Sequence, residues 1–154
     1  MKGAESTDEG ISVRAEGSGT RAAAWLLAAS WAVPGLGHWI LGKRLRAIVF
    51  AVIVVSAFCT GVLLEGELGT PKPHQPFSWL ATFACFGNGL LYVARIAWLN
   101  GLGDLISALP FGLAGGGDAT SGGFAYGNTF FYTGGLMNLL LVLDVSDIAR
   151  GEKA

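Results

Sequence analysis

The chain contains four long runs that lack any Asp, Glu, Lys or Arg residue. They are Ala22–Gly42, Ala47–Leu64, Pro73–Ala94 and Ala119–Leu143. An α-helix rises about 1.5 Å per residue, so about 20 apolar residues cross a hydrocarbon core of roughly 30 Å. The runs therefore predict an all-α integral membrane bundle of four transmembrane helices, at about 22–41, 45–64, 77–99 and 124–148.

The overall composition argues against the ordinary alternatives to this prediction. Only 14% of the 154 residues are charged and 52% are hydrophobic, whereas about a quarter of the residues in soluble domains are charged. A chain of this length cannot hide four apolar helices from water. A transmembrane β-barrel would show shorter segments of alternating polarity. The net charge of −1 argues against a nucleic-acid partner, which would require a basic excess.

The uncharged runs divide the chain into a membrane domain and two tails. Residues 1–21 are predicted to form a disordered N-terminal tail, because they are rich in Glu, Ser, Thr and Gly. Residues 22–148 form the predicted membrane domain, and residues 149–154 form a C-terminal tail. The first nine residues are acidic on balance, whereas a signal peptide begins with a basic region, so we expect the first helix to be retained.

A Pro-Gly-Leu-Gly sequence, residues 34–37, interrupts the first predicted helix. Proline removes a backbone hydrogen bond and glycine loosens the turn, so a kink is predicted here. The next residue, His38, is interpreted either as a ligand or proton acceptor, or as an interfacial histidine bonded to a carbonyl that Pro34 frees. The second histidine, His74, lies in a different loop, so the sequence predicts no metal site and no cofactor.

Asn88 and Asn138 are the polar side chains predicted to lie nearest the membrane centre. Amides in hydrocarbon require hydrogen-bond partners, and a bond between the third and fourth helices would supply one. We therefore expect the two side chains to face each other. They are interpreted as packing contacts, and the alternative is that they line a substrate pathway.

Charged residues near the predicted helix ends are expected to be solvated. Asp144 and Asp147 lie on one side of the fourth helix, with Arg150 and Arg21 as their nearest candidate partners. Arg95 is predicted at the opposite end of the bundle, beside the basic turn. A carboxylate dyad for hydrolysis is the alternative interpretation of the two aspartates.

The sequence contains no known catalytic motif. It lacks a P-loop, a dinucleotide-binding fingerprint, an HExxH sequence and a nucleophile elbow. Cys59 and Cys85 do not form a CxxC pair and are interpreted as small apolar filler, although their depths are compatible with a disulfide. No catalytic residue is therefore assigned.

Two stretches resemble a known group of proteins. Residues 34–46, PGLGHWILGKRLR, resemble the PGLGHxxxGRxxRG signature of small bacterial multi-pass membrane proteins that form a domain of unknown function. Residues 126–148 are similar to the closing helix of the same group. The first stretch is also distantly similar to the two-helix transmembrane domain, although it lacks the Asp-Arg-Phe turn of that domain. The candidate interaction residues are Pro34, Gly35, Gly37, His38, Gly42, Lys43, Arg44 and Arg46.

The resemblance implies a multi-pass protein of the bacterial cytoplasmic membrane, with no established activity. We interpret the chain as a non-catalytic structural or accessory component that contacts the lipid bilayer and other membrane proteins or itself. Anionic headgroups are expected at Lys43, Arg44 and Arg46. The alternatives are an oligomeric transporter or channel subunit, and an intramembrane enzyme that uses His38 with Arg95 and Asp104.

Four spans would place both termini on one side of the membrane and the basic turn of residues 42–46 on the other. The positive-inside rule gives most weight to basic residues in short loops close to helix ends. A raw count of Lys and Arg favours the opposite orientation, with six on the side of the termini and four on the side of the turn. Because three of those four lie in the short turn itself, we predict that the turn lies in the cytoplasm and that both termini lie outside.

Overall fold

The computed structural model describes residues 21–102 and 116–153 of the chain. Every regular element within these residues is helical. In chain order, the elements are α1 (residues 21–32), α2 (Leu36–Ile40), α3 (Arg44–Leu63), α4 (Pro76–Phe86), α5 (Leu90–Ala97), a π-helical turn (Trp98–Leu102) and α6 (Phe124–Ala149). The predicted N-terminal tail, apart from residue 21, lies outside the described residues.

The helices α3 and α6 pack against each other in antiparallel directions. Gly61, near the end of α3, lies against Phe131 of the early part of α6, where an added Cβ atom would stand 2.8 Å from the ring. Further along α6, an added Cβ atom at Gly134 would stand 3.4 Å from the Cβ atom of Ala57 in α3. Small residues allow apolar helices to approach closely in a membrane, where packing drives association. The start of α3 therefore lies at the same end of the bundle as the end of α6.

We call this end the basic end, because five of the described basic residues lie there, and we call the opposite end, formed by residues 64–75, the loop end. The five residues are Lys43, Arg44, Arg46, Arg150 and Lys153. The sequence predicts the basic turn and the C-terminus on opposite sides of the membrane, whereas the structure brings them to one end of the bundle. The physical reason is that the first and third uncharged runs are not straight helices.

The first uncharged run is broken into α1 and α2. The predicted continuous helix over residues 22–41 stops after residue 32, and α2 starts at Leu36. Gly35 between them has φ of 81°, a left-handed conformation that residues other than glycine rarely adopt. The predicted kink is therefore present, and it is a complete interruption of the helix.

The third uncharged run is broken as well, so the predicted helix over residues 77–99 is not continuous. It consists of α4 and a second helical part, Leu90–Gly101, that are bent by 115° relative to each other. The break contains Gly89, whose φ is 62° and whose ψ is −130°. The phenol of Tyr92 in α5 donates to the carbonyl of Gly69 at 3.1 Å, so α5 turns back toward the loop end.

The segment between α3 and α6 begins and ends at the loop end. A Cβ atom at Gly123, just before α6, would stand 3.0 Å from the carbonyl oxygen of Leu64, just after α3. The backbones of Gly66 and Gly127 are also in direct contact, since a Cβ atom at either residue would lie within 3 Å of the other. The bent pair of α4 and α5 therefore enters the bundle and leaves it at the same end.

In the part of the chain that the structure describes, two continuous helices, α3 and α6, are long and apolar enough to cross a membrane. The bent pair of α4 and α5 passes the same test of length and composition if its two parts are counted as one span. The predicted number of four straight spans is not found in the described residues. Large apolar side chains cover the outside of α3, including Val52 at 61% exposure, which is typical of a helix that faces lipid.

Candidate functional site

A histidine–aspartate pair joins the first broken run to α6 at the basic end. The Nε2 atom of His38 lies 3.0 Å from a carboxylate oxygen of Asp144. His38 is completely buried, whereas the side chain of Asp144 is 30% exposed. The imidazole ring also packs edge-on against Phe50 of α3, with ring centroids 5.3 Å apart. His38 therefore links α2 to both continuous helices.

Asp144 is also part of an ion-pair network at the end of α6. Lys153 lies 3.0 Å from Asp144 and 3.1 Å from Asp147, and Arg150 lies 3.4 Å from Asp147. The pairing of Asp147 with Arg150 agrees with the sequence-based prediction. Hydrogen bonds to Asp144 and then Asp147 raise the pKa of Lys153, because they stabilise its charged form. Lys153 thus binds both carboxylates at the end of α6.

Three residues of the Pro-Gly-Leu-Gly-His stretch pack closely against neighbouring elements. A Cβ atom at Gly35 would overlap the carbonyl oxygen of Ala47, and one at Gly37 would overlap the hydroxyl of Ser30 and stand 2.7 Å from Val145. Pro34 is buried at the break. These residues allow α2 to fold tightly against α1, α3 and α6, which brings His38 to Asp144.

We predict that Asp144→Ala lowers the free energy of unfolding by about 2 kcal/mol. Among the described residues, His38 Nδ1 already lacks a hydrogen-bond partner, so the variant would leave a buried imidazole with neither nitrogen bonded. Asp147→Ala is the matched control, because its partners are exposed and such pairs contribute about 0–1 kcal/mol. Unfolding in mixed detergent micelles measures both. Equal losses for the two variants would contradict the assignment.

The second polar cluster lies at the two helix breaks, near the middle of α6. Asn138 donates from Nδ2 to the carbonyl oxygens of Trp31, at 3.0 Å, and Gly87, at 2.8 Å. Asn88 donates from Nδ2 to the carbonyl oxygens of Cys85, at 3.0 Å, and Phe131, at 2.9 Å. Both asparagines are completely buried. We call Asn88 and Asn138 the central amides.

The predicted hydrogen bond between Asn88 and Asn138 is wrong. Each amide instead binds backbone carbonyls, and three of the four lie at or beside the breaks, where the regular helical hydrogen bonds end. Trp31 adds a second link between the broken runs, since its Nε1 donates to the carbonyl of Phe86 at 3.0 Å and its ring packs at a tilt against Phe86, with centroids 4.6 Å apart. The cluster therefore closes both breaks against α6.

The sequence-based enzyme alternative combined His38, Arg95 and Asp104. The structure places Arg95 on α5, one turn after Tyr92, which is bonded to the loop end. His38 lies at the basic end, so these two residues are not brought together. Asp104 lies outside the described residues. Within the described residues, no group of three or more His, Cys, Asp or Glu residues could hold a metal ion.

The two cysteines are free thiols. Cys59 is exposed on α3 and Cys85 is buried in α4, where its sulfur accepts a hydrogen bond from the amide of Gly69 at 3.2 Å. Their similar predicted depth does not bring them together as a disulfide.

Sequence reasoning missed the contact between His38 and Asp144, and the role of Lys153 beside it. A straight helix over residues 22–41 placed His38 and Asp144 at opposite ends of the bundle. The Pro34–Gly35 pair is the sequence feature that could have predicted the contact. A complete break of the helix at this pair allows His38 to lie at the end of the bundle where α3 begins.

Comparison with known proteins gives one family match. A family model described as "Family of unknown function (DUF6677)" matches residues 25–154. No curated protein and no solved structure matches the chain.

Proposed function

Because the chain belongs to the DUF6677 family, whose function is unknown, we propose its role from its geometry: a non-catalytic structural or accessory component of a bacterial cytoplasmic membrane. The observation that carries this proposal is the use of the central amides. Asn88 and Asn138 donate to four backbone carbonyls and are completely buried. They stabilise a closed bundle.

Broken helices with polar residues at the breaks also occur at the substrate sites of transporters. In such proteins the polar groups face a water-filled cavity or the substrate itself. Here the breaks are packed against α6, because Gly87 and Gly135 are so close that a Cβ atom at Gly87 would overlap the carbonyl oxygen of Gly135. This packing supports a structural role for the breaks.

The bent pair of α4 and α5 is proposed to be a re-entrant segment. Irregular backbone at membrane depth is tolerated only where protein or water satisfies its polar groups. The break at Gly87–Gly89 meets this condition, since Asn138 binds the carbonyl of Gly87 and a Cβ atom at Gly89 would overlap the carbonyl of Trp31. The membrane domain then has two full spans, α3 and α6, that support two inserted breaks.

His38 is proposed to be a structural residue. Its side chain is 1% exposed, and its Nε2 is engaged by Asp144 at 3.0 Å. A general base must reach the substrate that it deprotonates, and this ring is enclosed by α2, α3 and α6. The Asp144 carboxylate holds the ring in place.

The basic end is proposed to face the cytoplasm and to contact anionic headgroups and partner proteins or a second copy. The five basic residues of this end outnumber the two that lie toward the loop end, Lys72 after α3 and Arg95 on α5. The positive-inside rule places the end with the excess of Lys and Arg in the cytoplasm. Arg44 and Arg46 are exposed there, and the resemblance to bacterial membrane proteins supports the compartment.

Reconstitution into vesicles tests this proposal against the transporter alternative. We expect vesicles with the purified chain to be no more permeable to small ions and polar solutes than protein-free vesicles. A flux that Asn138→Leu abolishes and the exposed-site control Asn100→Leu preserves would overturn the proposal, because it would place a pathway at the breaks.

A further inference from the structure

An apolar groove lies between α2 and α3, on the outer surface of the bundle. Its volume is about 290 Å³. The lining comes from the break after α1, from α2 and from two turns of α3: Val33, Pro34, Gly35, Leu36, Trp39, Ala47, Ile48, Ala51 and Val52. All these residues are apolar, and Val52 is 61% exposed. The groove therefore opens toward the region that lipid occupies around a transmembrane helix.

One cation is aligned with the groove. Arg44, Ala47, Ile48 and Ala51 follow the spacing i, i+3, i+4 and i+7, so they lie on one face of α3. The guanidinium of Arg44 lies 5.8 Å from the centre of the Trp39 ring, close enough for a cation–π contact. Arg44 thus lies at the basic end of this face of α3, one turn before the residues that line the groove.

We propose that this groove binds one acyl chain of an anionic phospholipid whose phosphate contacts Arg44. The inference rests on the proposed membrane role and adds a defined lipid site to it. The apolar lining matches an acyl chain, and the positive charge at its mouth matches a phosphate. Helical geometry gives a rise of roughly 7–8 Å from Ala47 to Val52, so the groove holds the part of the chain nearest the headgroup.

Charge favours a lipid over a second copy of the protein as the occupant. A symmetric dimer through this groove would use the same surface patch on both copies. Arg44 and its neighbour Lys43 would then approach their own counterparts, and like charges repel. An anionic lipid has the opposite charge and lies in the same leaflet.

Native mass spectrometry of the purified full chain tests the proposal, with phosphatidylglycerol as the anionic probe and phosphatidylcholine as the neutral one. We expect one retained phosphatidylglycerol per protein and weaker retention of phosphatidylcholine. Arg44→Gln should weaken phosphatidylglycerol retention about fivefold. Arg46→Gln is the matched control, because it removes the same charge from the same turn on another face of α3, and it should have a smaller effect.

A second pair of variants tests the groove itself. Ala51→Phe fills the groove and should weaken retention at least as much as Arg44→Gln, whereas Val49→Phe, at a similar depth outside the lining, should not. Val52→Trp provides an independent test if Ala51→Phe fails to fold, since Val52 is already exposed. Loss with Arg44→Gln alone would show headgroup binding without the groove and overturn the proposal. The proposal would also be overturned if each variant and its control weakened lipid retention equally. It would likewise be overturned if the chain formed a dimer that Ala51→Phe dissociates.

The vesicle experiment and the lipid-retention experiment test different claims, so their outcomes can be distinguished. Solute flux with intact groove-dependent lipid retention would reject the accessory role and leave the lipid site in place. Absence of flux together with groove-independent retention would reject the lipid site alone.

Discussion

Replacing Gly135 with valine is expected to prevent α4 from packing on α6 and to remove most of the stability of the bundle. A Cβ atom at Gly135 would overlap the carbonyl oxygen of Ala84 and stand 2.8 Å from Nδ2 of Asn88. The obstacle is backbone, which cannot move aside as a flexible side chain can. Overpacking in a well-packed interior typically costs about 1–3 kcal/mol. With backbone as the obstacle we expect a loss above about 3 kcal/mol.

Gly122→Val is the matched control for this prediction. Within the described ranges, no atom beyond the adjoining residues lies within 4 Å of a Cβ atom added at Gly122, so the same change in volume should alter the unfolding midpoint little. Unfolding of the purified variants in mixed micelles measures the difference. A Gly135→Val variant that is as stable as Gly122→Val would show that α4 and α6 do not meet at this position.

Replacing Asn138 with leucine is expected to lower the free energy of unfolding by about 2 kcal/mol. Leucine is similar in size, but it leaves the carbonyls of Trp31 and Gly87 without the donor that binds both. A hydrogen bond contributes about 1 kcal/mol on average, and a buried group left unbonded costs more. A single contact between two amides in a membrane would cost only about 0.6 kcal/mol.

Asn100→Leu is the control, because Asn100 is exposed and, among the described residues, donates only to the carbonyl of Ile96, within its own helical segment. Asn100→Leu should change the stability by less than about 1 kcal/mol. Hydrogen exchange should also show faster exchange near both breaks in Asn138→Leu. Faster exchange near one break only would mean that Asn138 does not join the two.

The helical fold class and the two continuous helices could be predicted from the lengths of the uncharged runs alone. The predicted ranges 45–64 and 124–148 correspond to α3, Arg44–Leu63, and α6, Phe124–Ala149. The absence of charge shows that a segment is compatible with lipid, but it does not show that the segment crosses the membrane. Residues 22–41 and 77–99 have similar composition, and both are interrupted.

The interruptions depend on a few glycines, and their role can be recognised only from tertiary contacts. Pro34 marked the first break in the sequence, whereas the second contains no proline within residues 77–99. Gly89 adopts its positive φ where the backbone of Trp31 comes too close for a side chain. Helix-length arithmetic cannot foresee such a contact, because the two residues are far apart in the chain.

The partners of the central amides and of His38 could not be predicted for the same reason. Asn88 and Asn138 are predicted nearest the membrane centre, and the structure buries both side chains completely. Three of their four acceptors are carbonyls at or beside the helix breaks, and the sequence predicts only the first of these breaks. The contact of His38 with Asp144 follows from the position of α2 beside the end of α6. One error in topology therefore produced each of these errors in the site.

The central claim is that the basic turn and the C-terminus share one side of the membrane, with two full spans between them. Single cysteines at Lys43, Lys72 and Glu152, in a chain with Cys59 and Cys85 replaced, can be tested on intact cells with an impermeant maleimide. We predict that Lys72→Cys is labelled from outside, and that Lys43→Cys and Glu152→Cys are labelled only after the membrane is opened. Labelling of Lys43→Cys and Glu152→Cys from opposite sides would contradict the account.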